Sequence, residues 1–205
     1  EFEGGTAVFT HPNTPIKCGG APQKIMYLAA DYWRRNPPKD DYGIVFCIAT
    51  PGIFAVKKYA DALLKAVARY GIEVRYQHDL TALDPANDRA TFHKLDSEED
   101  VELDYSMMHV TPPMSAPDFI KSSPLADAEG WVAVDKTTLQ HSDHANVFAL
   151  GDASALPTSK TGAAIRKQAP ALITSLLDVM EGRAPGGNYD GYTSCPLVTG
   201  YGKLV

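Results

Sequence analysis

NVFALGDASALPTSKTGAA, residues 146–164, decides how the rest of the chain is read. Residues 147–150 are a short apolar run of strand formers that stops on Gly151-Asp152. Beyond a proline-containing loop, Thr161-Gly162-Ala163-Ala164 opens a helix-like pattern of small residues. The order is strand, carboxylate, loop, helix start. A carboxylate at the end of a parallel strand accepts hydrogen bonds from a ribose-like diol, and a helix that begins on Gly and Ala lets its N–H groups approach an electron-rich ligand. Gly151, Asp152, Thr161 and Gly162 are therefore candidate ligand-binding residues. Lys160 brings a positive charge to the same helix start, or is a solvated lysine. Read blandly, the stretch is a buried strand followed by a surface turn, and these residues alone leave both readings standing.

Composition narrows the field around that stretch. The chain has 205 residues, 44% of them hydrophobic, enough for one large or two small domains with a real core. A net charge of -6 and scattered Lys and Arg supply no basic field, so nucleic acid is not an expected partner. No apolar run is long enough to span a bilayer, and the opening EFEGGTAVF lacks the basic and apolar regions of a signal peptide, so the chain reads as a soluble piece that starts abruptly in a strand. Cys18, Cys47 and Cys195 cannot all pair with one another, and they lack the close paired spacing of a zinc site. No metal site is expected. So sparse a set suits reduced or redox-active thiols better than a secreted disulfide scaffold.

Taken in order, residues 6–9 read as a strand. A loop with Pro12 and Pro15 follows, then Ile16-Lys17-Cys18-Gly19-Gly20 and a helix from Ala21, with Pro22 in its first turn and Ile25, Leu28, Ala29 and Tyr32 on its buried face. Cys18 sits ahead of a helix N-terminus and beside Lys17, two features that stabilise a thiolate; it also fits a small residue packing a tight turn. Residues 43–49, GIVFCIA, form a continuous apolar strand of the kind buried on both faces of a parallel sheet, with Cys47 as core packing.

Thr50-Pro51-Gly52 leads to a helix over 54–70, with Ala55, Tyr59, Ala62, Leu63, Ala66, Val67 and Tyr70 on one face and Gly71 as its cap. A dinucleotide-binding domain would place its glycine-rich phosphate loop at such a strand–turn–helix. ATPGIFA offers one glycine, a proline without an N–H and the bulky Phe54, so a Rossmann-like domain without an NAD(P) site is expected.

Residues 72–77 read as a further parallel strand, and 80–83, 89–95 and 101–105 as three antiparallel strands. The acidic turns between them are solvated hairpin tips rather than metal ligands. After a strand over 107–111, Pro112-Pro113 and Pro117 mark a boundary, giving domains 1–111 and 112–205; His109 receives no role. The second part holds a strand and turn over 131–135, His141 and His144, which frame a turn and equally fit surface residues, a helix over 161–181 that Pro170 should kink or make less regular, and a flexible linker to Cys195. The fold class is α/β: Rossmann-like, a parallel sheet with an antiparallel β-meander.

Residues 146–164 resemble the second FAD fingerprint of the two-dinucleotide-binding-domain flavoproteins. The flanks sharpen the likeness. FTHPNTPIKCGGAPQKIMY at 9–27 and YDGYTSCPLVTGY at 189–201 are similar to the two cysteine-bearing segments of sulfide:quinone oxidoreductases, and YADAL at 59–63 and MHVTPPMSAPD at 108–118 fit the same family.

The resemblance implies that Cys18 and Cys195 form a redox-active disulfide over the flavin. Sulfide would leave a persulfide on Cys195 and a thiolate on Cys18, from which electrons reach FAD and then a membrane quinone, while the sulfane sulfur passes to a sulfur acceptor. It implies also that Asp152 holds the ribityl chain, that the helix opening at Thr161 and Gly162 faces the pyrimidine edge, and that Lys160 adds charge near the reduced flavin. The parent would be a peripheral protein of a bacterial plasma membrane or the mitochondrial inner membrane.

The family's first flavin fingerprint and its apolar C-terminal segment have no counterpart in this chain. The resemblance therefore implies a fragment with an incomplete FAD domain that binds FAD weakly or not at all, colourless and inactive by itself. Two other functions are weighed. One is an NAD(P)H-dependent FAD disulfide reductase or type II NADH:quinone oxidoreductase, against which the lone Gly52 argues. The other is a non-catalytic Rossmann-like module in which the cysteines are incidental.

Overall fold

The apolar side chains of strand β1 (Gly5–His11) alternate between two buried faces, Ala7 and Phe9 to one and Val8 to the other. The neighbouring strand β2 (Tyr42–Ile48) does the same, with Ile44, Phe46 and Ile48 on the first face and Val45 and Cys47 on the second. A continuous apolar run is what a strand covered on both sides requires. This computed structural model describes residues 2–205, and in it β1 and β2 are the centre of a four-stranded parallel sheet. Its order is β3-β2-β1-β7, where β3 is Glu73–Tyr76 and β7 is Met107–His109.

Helices α1 (Ala21–Arg35) and α2 (Lys57–Tyr70) cover the first face through Met26, Tyr27, Ala30, Leu63 and Ala66. An antiparallel meander covers the second: β4 (His78–Asp84), β5 (Arg89–Lys94) and β6 (Glu99–Asp104), whose Ala90 and Phe92 are fully buried beneath Val8 and Val45. The parallel sheet with a meander is the architecture expected from the sequence.

Three expectations about the sheet and its connections are corrected. The buried face of α1 is not Ile25–Leu28–Ala29–Tyr32; Ile25 and Tyr32 are 40% and 51% exposed, and Gln23, Met26, Tyr27 and Ala30 point inward. Both sets have helical spacing, so periodicity cannot choose between them. Packing can. Gln23 Nε2 donates to the Ile53 carbonyl at 2.6 Å and Gln23 Oε1 accepts from the Tyr27 hydroxyl at 3.1 Å, so the face that carries a polar residue is the one that satisfies it inside.

Helix α2 begins at Lys57, three residues later than expected, because Val56 is extended; Tyr59 is left 42% exposed, while Gly71 caps the helix in the left-handed region at φ 64 as read from sequence.

The third correction concerns the phosphate-loop position. In an order of 3-2-1-4 type, the switch point lies beside the first strand, and the dinucleotide loop is the turn that follows it. That turn is the passage from β1 to α1, residues 12–20, which contains Cys18; it is not Thr50-Pro51-Gly52. PNTPIKCGG has two prolines and its glycines only at the end, so the spaced glycines a pyrophosphate needs are missing from this loop too.

The chain divides into two compact units. The sheet, the meander and the C-terminal hairpin β8 (Val198–Gly200) and β9 (Lys203–Leu204) belong to the first, made of the stretch up to Pro15, Gly20–Pro113 and Pro196–Val205. The second is built from Ile16–Gly19 and Met114–Cys195. It contains the one-turn helix α3 (Asp118–Lys121), a 3-10 turn at Gly151–Ala153 and the long helix α4 (Gly162–Met180), around a small core of Leu139, Leu156, Ala171 and Tyr189.

Residues 147–150 do not form the expected strand: Phe148 makes one isolated antiparallel bridge, to Gln140, flanked by the His141–Val147 and Ala149–Leu139 backbone hydrogen bonds. Pro170 lies inside α4 without ending it. His141, for which the sequence leaves a surface position as one option, is 4% exposed; its Nδ1 accepts the Asp143 and His144 N–H groups, so its Nε2 is the nitrogen that donates to the Leu125 carbonyl. Among the described residues no helix is long and apolar enough to cross a membrane.

Candidate functional site

The loop that leads into α4 is the platform of the site, and its carbonyl groups hold both cysteine segments. The Cys18 N–H donates to the Lys160 carbonyl at 2.8 Å. From the other segment, the Thr193 hydroxyl donates to the Ser159 carbonyl at 2.8 Å and lies 3.0 Å from the Thr161 hydroxyl. Adjacent carbonyls thus anchor Cys18 on one side and a residue two before Cys195 on the other. The consequence is that Cys18 Sγ and Cys195 Sγ, 177 positions apart in the chain, lie 2.7 Å from each other. Cys18 reaches this place with φ at 55, a left-handed conformation that side chains other than glycine adopt only when their surroundings impose it. The Lys17 N–H, donating to the Met114 sulfur at 3.1 Å, helps to impose it.

Asp152 forms an ion pair with Lys17 at 3.6 Å and keeps 46% of its side chain exposed. Gly151 is buried with φ at 67 and donates its N–H to Gln168 Oε1 at 2.8 Å; a Cβ there would meet Ile165 at 3.2 Å. Thr161 is the N-cap of α4, its hydroxyl accepting the Ala164 N–H at 3.1 Å, and Gly162 is the first helical residue. Lys160 donates to the Ser154 carbonyl and holds its ammonium 4.1 Å from the centre of the Trp131 ring. Burial is the main reason that the Lys160 pKa lies below the ordinary lysine value; the carboxylates of Asp152 and Asp127 oppose the shift, and the Lys17 cation adds to it.

Of the residues expected from sequence, hydrogen bonds join Cys18 to Lys160 and Thr161 to the Cys195 segment, Cys18 meets Cys195 through the sulfurs, and Lys17 ties Asp152 to the same group. Gly151 is linked instead to α4, through Gln168. Sequence reasoning missed Trp131, Thr193, Ser159 and Gln168. Ser159 and Thr193 lie inside the 146–164 and 189–201 stretches but carry no chemistry of their own type there, and Trp131 and Gln168 lie outside them; each acts through a carbonyl, hydroxyl, amide or ring whose partner only folding brings near. Among the described residues no cluster of three His, Cys, Asp or Glu side chains is placed to hold a metal ion.

The donors and acceptors here fit a flavin nucleotide. Asp152 is an accessible acceptor for polyol hydroxyls. At the start of α4 a Cβ added to Gly162 would meet nothing within 4 Å, which leaves the N-terminal N–H groups approachable by a carbonyl or a partial negative charge.

No protein-family model matches the chain. Curated proteins do. Over 205 residues, all of this chain, it is 49% identical to the mitochondrial sulfide:quinone oxidoreductase of Mus musculus, and over 203 residues, 98% of it, 43% identical to that of Schizosaccharomyces pombe. Along its whole length the chain is similar to curated sulfide:quinone oxidoreductases. It spans about half the length of these relatives, 46% and 44%. Among solved structures, its fold matches that of the sulfide:quinone oxidoreductase from Aquifex aeolicus with a TM-score of 0.74 and 16% identity, covering 87% of this chain and 44% of that one. A chain in the mitochondrial ATP synthase structure from Tetrahymena thermophila matches with a TM-score of 0.81 and 24% identity, covering 100% and 50%. At such identities the likeness is one of fold.

Proposed function

We propose that this chain carries the sulfide-oxidising disulfide of an FAD-dependent sulfide:quinone oxidoreductase, with Cys18 and Cys195 as the redox pair. The observation that supports it is the 2.7 Å approach of two sulfurs 177 positions apart, held by neighbouring carbonyls of one loop. Hydrosulfide attacks Cys195 Sγ of the oxidised pair. The Sγ–Sγ bond breaks, the new sulfur and its hydrogen remain on Cys195 as a persulfide, and the electron pair leaves on Cys18 as a thiolate. A second sulfur nucleophile then removes the outer sulfur.

Bound FAD would accept the electron pair and pass it to a quinone, chemistry that no side chain of this chain supplies. For that cofactor, Asp152 receives the ribityl hydroxyls with Gly151 keeping the backbone close, Thr161 and Gly162 open the helix toward the pyrimidine edge, and Lys160 contributes a cation. In this reading residues 1–111 are a Rossmann-like domain without an NAD(P) site and 112–205 are the C-terminal part of an FAD domain. The quinone places the activity at a membrane, and kinship with the mitochondrial enzymes of mouse and fission yeast favours a mitochondrial one.

The test uses a family-length protein containing this chain. Cys18→Ser and Cys195→Ser are each expected to lower sulfide-dependent quinone reduction by at least about 10³-fold. An unchanged rate for either variant rejects the assignment, and reduction driven equally well by NADH would move it to a nicotinamide-dependent enzyme.

A further inference from the structure

Trp131 meets the lysines on both sides of Cys18's anchor. Its ring centre lies 4.1 Å from Lys160 Nζ and 5.6 Å from Lys17 Nζ, both within the range of a cation–π contact. Lys17 is the residue before Cys18, and Lys160 supplies the carbonyl that the Cys18 N–H binds. The ring is held from behind by a fixed backbone. The Trp131 N–H donates to Asp127 Oδ1 at 2.9 Å, the Val132 N–H donates to the Ala153 carbonyl at 2.9 Å, and the Val132 carbonyl accepts from Ala155 at 2.9 Å. Lys160 Nζ closes the loop by donating to the carbonyl of Ser154, which lies between those two partners. One aromatic ring therefore fastens both strands of the contact that presents Cys18 in its left-handed conformation.

We infer that Trp131 is a positioning residue, which keeps Cys18 in reach of Cys195 by gripping Lys17 and Lys160. The inference rests on the reading of the two cysteines as a redox pair. Removing the ring frees two flexible side chains and lets residues 17 and 18 relax from the imposed backbone, so fewer molecules hold the sulfurs together and the disulfide becomes less favoured.

The test is the thiol–disulfide equilibrium of the 205-residue chain in glutathione buffers, with thiols trapped by a maleimide and counted by mass. Trp131→Leu is expected to lower the equilibrium constant for disulfide formation about five- to tenfold, and Trp131→Phe, which keeps a ring face, by less. A tenfold loss corresponds to about 30 mV. Leu139→Ala, in the separate small core of the same unit, serves as a comparison: it should lower the thermal midpoint without moving the thiol equilibrium.

An unchanged equilibrium in Trp131→Leu overturns the inference, as does an equal shift in Leu139→Ala. If Trp131→Leu does not fold, the double variant Lys17→Met, Lys160→Met decides, since the ring stays while the grip is lost together with the Lys17–Asp152 pair and the Lys160–Ser154 hydrogen bond; wild-type behaviour there also overturns it. Failure of the unsubstituted chain to form any Cys18–Cys195 disulfide would instead count against the redox pair itself.

Discussion

Cys47 and Cys18 are the same residue type in opposite circumstances. Cys47 is fully buried on the inner side of β2, and burial pushes its thiol up to about 12, so almost no thiolate forms at neutral pH. In the native, reduced protein at pH 8, iodoacetamide is expected to label Cys18 and Cys195 but to reach Cys47 only after unfolding. Peptide mass spectrometry reads this directly, and labelling of Cys47 at the pace of the others would contradict its place in the core.

A second residue-scale case is Asp31, 4% exposed, which accepts the Tyr201 N–H at 2.8 Å and pairs with Arg35 at 2.9 Å. The Tyr201 hydrogen bond first, and the Arg35 and Lys203 charges after it, hold its carboxyl below the ordinary 3.8. A carboxylate with a lowered folded pKa stabilises the fold above the unfolded value and loses that contribution as pH falls through the folded one. Asp31→Asn should therefore lower the urea midpoint at pH 7, and the gap from the unsubstituted protein should narrow below about pH 3.8. A gap independent of pH would exclude the ionised carboxylate as its source.

Elements differ in how much of their stability is local. Gly71 and Gly151 show it, since both have positive φ, 64 and 67, but only the second is crowded. An added Cβ at Gly71 meets nothing within 4 Å, so Gly71→Ala should cost only the left-handed conformation, about 1–2 kcal/mol. At Gly151 the Cβ would also press on Ile165 at 3.2 Å, so Gly151→Ala should cost more. Chemical denaturation of the two variants checks the order, and equal losses would mean that Ile165 yields without cost. At the start of α4, Thr161→Ala should cost about 1 kcal/mol through loss of the cap, with Thr161→Ser restoring most of it.

These caps and turns are legible in the sequence because each depends on near neighbours along the chain. Gly71 follows an apolar helical pattern, and Thr161 precedes one. The meander is legible for the same reason, as its turns separate alternating runs. The inward face of α1 is not, because apolar residues lie on two of its sides and the choice falls to the Gln23–Ile53 hydrogen bond, thirty positions apart. Residues 147–150 have the composition of a strand without forming one, since a strand also needs a ladder and their pairing with 139–141 amounts to a single bridge.

For the whole molecule, the decisive contact is the one between Cys18 and Cys195. Closing it as a disulfide ties together positions 177 residues apart, and the loop-entropy account then predicts about 5 kcal/mol of stabilisation over the reduced chain. Urea midpoints of oxidised and dithiothreitol-reduced protein measure this; identical midpoints would mean that no such bond forms.

The sequence by itself determined the α/β class, the doubly covered strand at 43–49, the meander and the helix that opens after Thr161, since those follow from periodicity and from residues a few positions apart. Only the tertiary structure decided which βα turn stands at the switch point, because strand order is a matter of pairing between remote segments. It alone also brought the two sulfurs to one loop and set Trp131 against the lysines beside them, contacts made by backbone carbonyls and a ring face that leave no mark on spacing or composition.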